Sequence, residues 1–136
     1  DVFAEILKKA ETFEGSFSER LENYMVNFSG YIEDSGVKLA QEWIRNVVNP
    51  ELIEGGADRS KLKADLEAME ALTESGIKRG ELKSDAPTGI IAHTLIDLLY
   101  GQLLCWCMSN GAYSLKERTQ EFCTLYLHSY LSHYLI

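Results

Sequence analysis

Ile90-Ile91-Ala92-His93-Thr94-Leu95-Ile96-Asp97-Leu98-Leu99-Tyr100-Gly101-Gln102-Leu103-Leu104-Cys105-Trp106-Cys107-Met108 carries one charged side chain, Asp97. Residues 86–115 contain no other charge, whereas residues 1–85 hold 11 of the 13 basic and 18 of the 21 acidic side chains. Wound as a helix, the stretch puts Ile90, Ile91, Leu95, Ile96, Leu98, Leu99, Leu103, Leu104 and Trp106 around most of its circumference, and a helix apolar all round is buried all round. A chain of 136 residues makes one domain, spanning 1–136. In a domain of that size one side of the helix packs on its own core and the other needs cover from elsewhere. The next segment compounds the surplus: Ser114-Leu115-Lys116-Glu117 reads as a capping box opening a last helix whose apolar arc is Leu115, Phe122, Cys123, Tyr126, Leu127, Tyr130 and Tyr134. Two adjacent helices with excess apolar surface are what a symmetric four-helix dimer interface requires. The expected partner is therefore a second copy, with Leu95, Leu98, Gly101, Gln102 and Cys105 meeting Phe122, Tyr126 and Tyr130 at the seam. The competing cover is a preceding N-terminal segment, since the sequence starts at Asp1 within a periodic pattern and reads as a piece of a longer protein.

Upstream, the apolar spacing is three or four throughout, which predicts helices and no strand. Phe3, Ile6, Leu7 and Ala10 mark a first helix over about Val2 to Thr12. The capping box Ser16-Phe17-Ser18-Glu19 opens a second, with the stripe Phe17, Leu21, Tyr24, Met25, Phe28, Tyr31 and Ile32, broken by Asp34-Ser35-Gly36. Val37, Ala40, Trp43, Ile44, Val47 and Val48 make a third, stopped by Pro50. Gly55-Gly56 falls in a loop, Asp58 is a candidate cap, and a fourth helix runs from about Arg59 to Arg79 with Leu62, Leu66, Met69, Leu72 and Ile77 inward, ended by Gly80. Ser84-Asp85-Ala86-Pro87 reads as the cap and first-turn proline of the fifth helix, closed by Asn110-Gly111. The fold class is an all-α six-helix bundle.

Composition excludes several functions. Hydrophobic residues at 46%, charged residues at 25%, 10 Gly and 2 Pro describe a packed globular chain rather than a linker or low-complexity tail. A net charge of −8 argues against this segment contacting nucleic acid, because phosphate contacts need a basic patch. The longest apolar run, Leu98 to Met108, is interrupted by Gly101 and Gln102 and falls short of the ~20 residues of a membrane span, so no membrane partner is expected. Three cysteines, an odd number set in apolar periodic segments, suit a reducing cytoplasm. Cys105 and Cys107 point to opposite sides of one helix and make a poor chelate. His128 and His133 lie five apart with no Glu-x-x-His partner, so no metal or cofactor is expected. Without strands there is no phosphate loop, and no motif gathers a nucleophile with a base. The chain is read as a non-enzyme.

A ligand-binding reading rests on two groupings. His93, Asp97 and Tyr100, at offsets of four and three, share one helix face. They either line a cavity that favours a polar or cationic group, or form a buried hydrogen-bond cluster, or lie at a wet edge of the bundle. Tyr24, Phe28 and Trp43, with Met69 of the fourth helix, either fill the core or face an inter-helical pocket, where aromatics with a few polar groups recognise small molecules.

The run Gly76-Ile77-Lys78-Arg79-Gly80-Glu81-Leu82-Lys83-Ser84-Asp85-Ala86-Pro87 is similar to the link between the long helix and the first dimerisation helix of TetR-type transcriptional regulators, where G-x-x-x-G-E-L-x-x-D precedes a helix carrying a small residue and a Trp, here Gly101 and Trp106. Asn110-Gly111-Ala112-Tyr113-Ser114-Leu115 resembles the loop into that family's last helix. Asp1-Val2-Phe3-Ala4-Glu5-Ile6-Leu7 resembles the start of the helix that follows its DNA-binding head. The resemblance spans the chain in helix order but does not include the helix-turn-helix. It implies an effector-binding and dimerisation domain of a repressor: helices two to four frame a cavity for a small-molecule effector, the last two form the dimer, and DNA is reached only through an N-terminal head absent from this sequence. From another class, a stand-alone helical small-molecule carrier or dimeric scaffold remains the alternative.

Overall fold

A computed structural model describes residues 1–49 and 60–136. The expected Pro50 stop, Gly55-Gly56 loop, Asp58 cap and Arg59 start lie outside the described residues. Among those described the chain is an all-α bundle, and the only strand-like pairing is an isolated bridge between Leu82 and Leu135. The helices are α1 (Val2–Thr12), α2 (Phe17–Ser35), α3 (Val37–Val48), α4 (Ser60–Lys78), α5 (Thr88–Met108) and α6 (Leu115–Phe122), the last continuing through one wide turn, Cys123–Leu127, into α7 (His128–Ser132).

Local chemistry sets the boundaries. Asp1 caps α1 by accepting from the Phe3 and Ala4 amides. Ser16 and Glu19 exchange bonds across the start of α2 as the capping box requires. At α6 the arrangement differs from the expected box. Ser114 Oγ accepts from the Glu117 amide, while the carboxylate comes from α2: Glu33 accepts from Ser114 Oγ at 2.8 Å and the Lys116 amide at 2.9 Å. Nor do Ser84 or Asp85 cap α5, whose N-cap position is Pro87 with no side-chain cap bond.

α5 packs one face against the rest of the bundle. Ile91, Ala92, Leu95, Ile96 and Leu99 join Phe17, Leu21, Tyr24, Met25 and Phe28 of α2 and Met69 and Leu72 of α4 in the main core, and a second, smaller core holds Ala40, Leu103, Trp106, Cys107 and Leu115. At 21 residues α5 is long and apolar enough to cross a bilayer by length and composition, which the run counted from Leu98 understates, but its inner face is spent on these cores. Its other face is open: Ile90, His93, Thr94, Asp97, Gly101, Leu104, Cys105 and Met108 all point outward.

The 76–87 segment is built by close packing. An added Cβ on Gly76 would sit 2.6 Å from the Phe17 ring, and Gly80 takes a φ of +73°. Glu81 reaches back to Arg20, which is 1% exposed, through a 2.6 Å ion pair. The Leu82 side chain is buried in the main core.

Candidate ligand cavity

α2 and α3 diverge from the Gly36 corner, and α1, α4 and α5 close the space between them. Phe3 of α1, Phe28, Tyr31 and Ile32 of α2, Leu39, Ala40 and Trp43 of α3, Lys61 of α4, and Tyr100 and Leu103 of α5 line a cavity of about 320 Å³. That volume is at the small end of the range for ligand pockets, and the wall has their usual chemistry, aromatic and apolar with few polar groups.

One polar cluster sits at its base. Asp65 is 2% exposed. Tyr100 donates its hydroxyl to Asp65 Oδ2 at 2.5 Å, and Lys61 Nζ donates to both oxygens at 3.0 and 3.2 Å. The same ammonium caps two rings, 3.3 Å from the Phe3 centroid and 4.7 Å from that of Phe28. Burial drives the Lys61 pKa down, with the Asp65 carboxylate opposing the shift. Burial together with that carboxylate holds the phenols of Tyr24 and Tyr100 well above the ordinary tyrosine range. Asp65 is thus spoken for by two donors, and Lys61 is the charged side chain that lines the cavity.

The candidates drawn from residue spacing separate accordingly, and several change role. Phe28, Trp43 and Tyr100 line the cavity, with Trp43 and Tyr100 in edge contact at 5.9 Å between centroids. Tyr24 and Met69 are buried in the main core instead. His93 and Asp97 do not reach the cavity. They pair with each other at 3.0 Å on the outer face of α5, their side chains 63% and 64% exposed. The carboxylate that meets Tyr100 is Asp65, not Asp97. The sequence holds a signal for it, since Asp65 falls on the inward stripe of α4 with Met69 and Leu72, where an acid is costly without a partner.

The residues assigned to a dimer seam also divide. Leu95 belongs to the chain's own core at 1% exposure. Leu98, Gln102, Phe122 and Tyr130 are half-buried, Gln102 accepting from Thr119 at 2.9 Å. Gly101, Cys105 and Tyr126 are exposed, and so are Ile90, Leu104, Met108 and Leu125, which the expected seam omitted. Among the described residues, no group of three or more His, Cys, Asp or Glu side chains is placed to hold a metal ion.

No family model, curated protein or solved structure matches the chain.

Proposed function

We propose that this chain is the effector-binding and dimerisation domain of a TetR-like repressor, taking a small molecule into the α1–α5 cavity. The observation that carries the reading is the part α1 plays in that cavity. Phe3 stands in its wall, its ring centroid 5.3 Å from those of both Phe28 (tilted) and Tyr31 (edge-on), and is capped by the Lys61 ammonium. A ligand lying there touches the helix that would lead to a DNA-binding head, so it favours whichever seat of α1 leaves it the better contacts. Differential affinity of this kind is the requirement for any ligand-driven switch. Further support is the exposed apolar side chains Ile90, Leu104 and Met108 on the outer face of α5, with Leu125 and Tyr126 exposed on the last helical stretch, which suit a seam between two copies.

Two measurements on this chain test the proposal. Sedimentation is expected to give a dimer at micromolar concentration. A thermal-shift panel of chemically varied small molecules is expected to contain compounds that raise the melting temperature by mass action. A monomer, or a panel with no stabilising compound, overturns it. The repressor function is tested on the encoded gene product, where a cavity ligand is expected to release operator DNA.

A further inference from the structure

A second apolar cleft, also of about 320 Å³, lies further along α3 between Ile44, Val47, Leu62, Gly101 and Leu104, opening to solvent at the edge of the outer face of α5, where Leu104 is 46% exposed. It shares Trp43, Tyr100 and Leu103 with the first, so the Trp43–Tyr100 edge contact stands between the two. Tyr100 is pinned through its hydroxyl to Asp65, and Trp43 is half-buried on α3 between the two spaces. Each cavity alone is at the bottom of the volume range for ligand pockets, and joined they reach its middle. The lining is uncharged along both, apart from Lys61 in the first.

We infer that the two cavities are halves of one elongated site divided by Trp43, and that the site takes a linear aliphatic monocarboxylate, its acid group on Lys61 and its chain passing Trp43 into the second half. The head-group assignment follows from charge. A ligand cation would meet the Lys61 ammonium, whereas an anion gains a charge-assisted bond in place of the ammonium's contact with the Phe3 ring. Asp65, held behind Lys61 and Tyr100, is not part of the lining. The tail assignment follows from shape, since two apolar spaces in series along α3 accept a narrow chain more readily than a broad ring system. The inference rests on the effector-binding reading and specifies its ligand.

The test is titration calorimetry of the whole chain with submicellar straight-chain carboxylates of six to twelve carbons, beside alkylammonium ions and alcohols of equal length. Affinity is expected to rise by roughly fourfold per methylene that enters apolar surroundings, and to keep rising beyond the lengths that fill the first cavity. Carboxylates are expected to bind at least about tenfold more tightly than matched ammonium ions. Val47→Phe, which fills the second cavity, is expected to remove the gain of the longer chains and leave the six-carbon acid unchanged. Lys61→Met is expected to remove the carboxylate preference or turn it toward ammonium ions, because Asp65 then loses its cation, and Lys61→Arg to keep it. A preference for ammonium ions, affinity independent of chain length, or a Val47→Phe protein that binds long chains as well as the parent each overturns the inference. The head-group ranking needs no variant, so a misfolded Lys61→Met does not leave the claim unjudged. If other compounds stabilise the chain while carboxylates do not bind, this inference fails and the effector-binding reading stands; if nothing stabilises it, that reading fails.

Discussion

Removing the Asp65 carboxylate should cost this fold more than any other single charge on α4. In Asp65→Ala the Tyr100 hydroxyl and the Lys61 ammonium lose their shared acceptor, in a place where the acid side chain is 3% exposed and the lysine 26%. Breaking a fully buried ion pair costs roughly 3–5 kcal/mol, and a hydrogen bond to a charged group contributes roughly 1.5–3 kcal/mol. Because a quarter of the lysine is open to water, the lower part of the first range applies, and we expect a loss of about 3 kcal/mol. With a urea m-value of about 2 kcal/mol/M, the unfolding midpoint followed by circular dichroism moves down by about 1.5 M. Asp65→Asn, which keeps an acceptor but not the charge, should fall between the two. Lys61→Met combined with Asp65→Ala removes the stranded cation, so the double variant should be more stable than the sum of the single losses, with a coupling of at least about 1 kcal/mol. An Asp65→Ala protein within about 0.5 kcal/mol of the parent, or strict additivity in the cycle, refutes the view that this acid organises the base of the cavity.

Other outcomes follow from single features. Gly76→Ala puts a methyl 2.6 Å from the Phe17 ring and 3.0 Å from Leu82, and should destabilise by about 1–2 kcal/mol after its gain in helix propensity, read from urea midpoints. Asp97→Ala, losing only an exposed pair with His93, should change stability by less than about 0.5 kcal/mol and leave cavity binding intact, a result calorimetry checks directly. Because the native phenols of Tyr24 and Tyr100 stay protonated while their unfolded counterparts ionise from about pH 10, the unfolded state binds fewer protons there and stability falls as pH rises. The depressed Lys61 acts in the opposite sense between its native value and about pH 10.4, so the phenol contribution is read as the smaller loss between pH 9 and 11 in Tyr24→Phe than in the parent. Cys105 is exposed, whereas burial and the nearby Glu22 push the Cys123 thiol up to about 12, so Cys105 should react first with a thiol reagent, and the proposed dimer predicts that it reacts more slowly as protein concentration rises.

The helices are legible in the sequence because their signals are local. Apolar spacing and the Ser16–Glu19 capping box place α1 to α3 to within a residue or two, and the missing charge of residues 86–115 marks α5. The last helix carries a subtler signal. Leu115, Thr119, Cys123, Leu127 and Leu131 are all buried at a constant spacing of four, which an ordinary helix of 3.6 residues per turn cannot keep on one face, and the wide turn over Cys123–Leu127 restores the alignment. The cavity is harder to see because it depends on contacts across the chain. Asp97 stands out as a lone charge in an apolar run, yet it takes an outward position that costs nothing. Asp65 is hidden among the many charges of α4: its register with Met69 and Leu72 puts it on the inward stripe, but the partner that makes an acid tolerable there, Tyr100, lies 35 residues away. Residue spacing within one helix gives the face a side chain occupies; it does not say which face a neighbour will cover.

The central claim, that a small molecule occupies the space between α1 and α5, is tested most directly by nuclear magnetic resonance of the aromatic and methyl groups during titration with a compound that stabilises the chain. Shifts are expected to concentrate at Phe3, Phe28, Trp43 and Tyr100 and to spread along α1. Shifts confined to the outer face of α5 around His93 and Asp97, with those four rings unmoved, would contradict it.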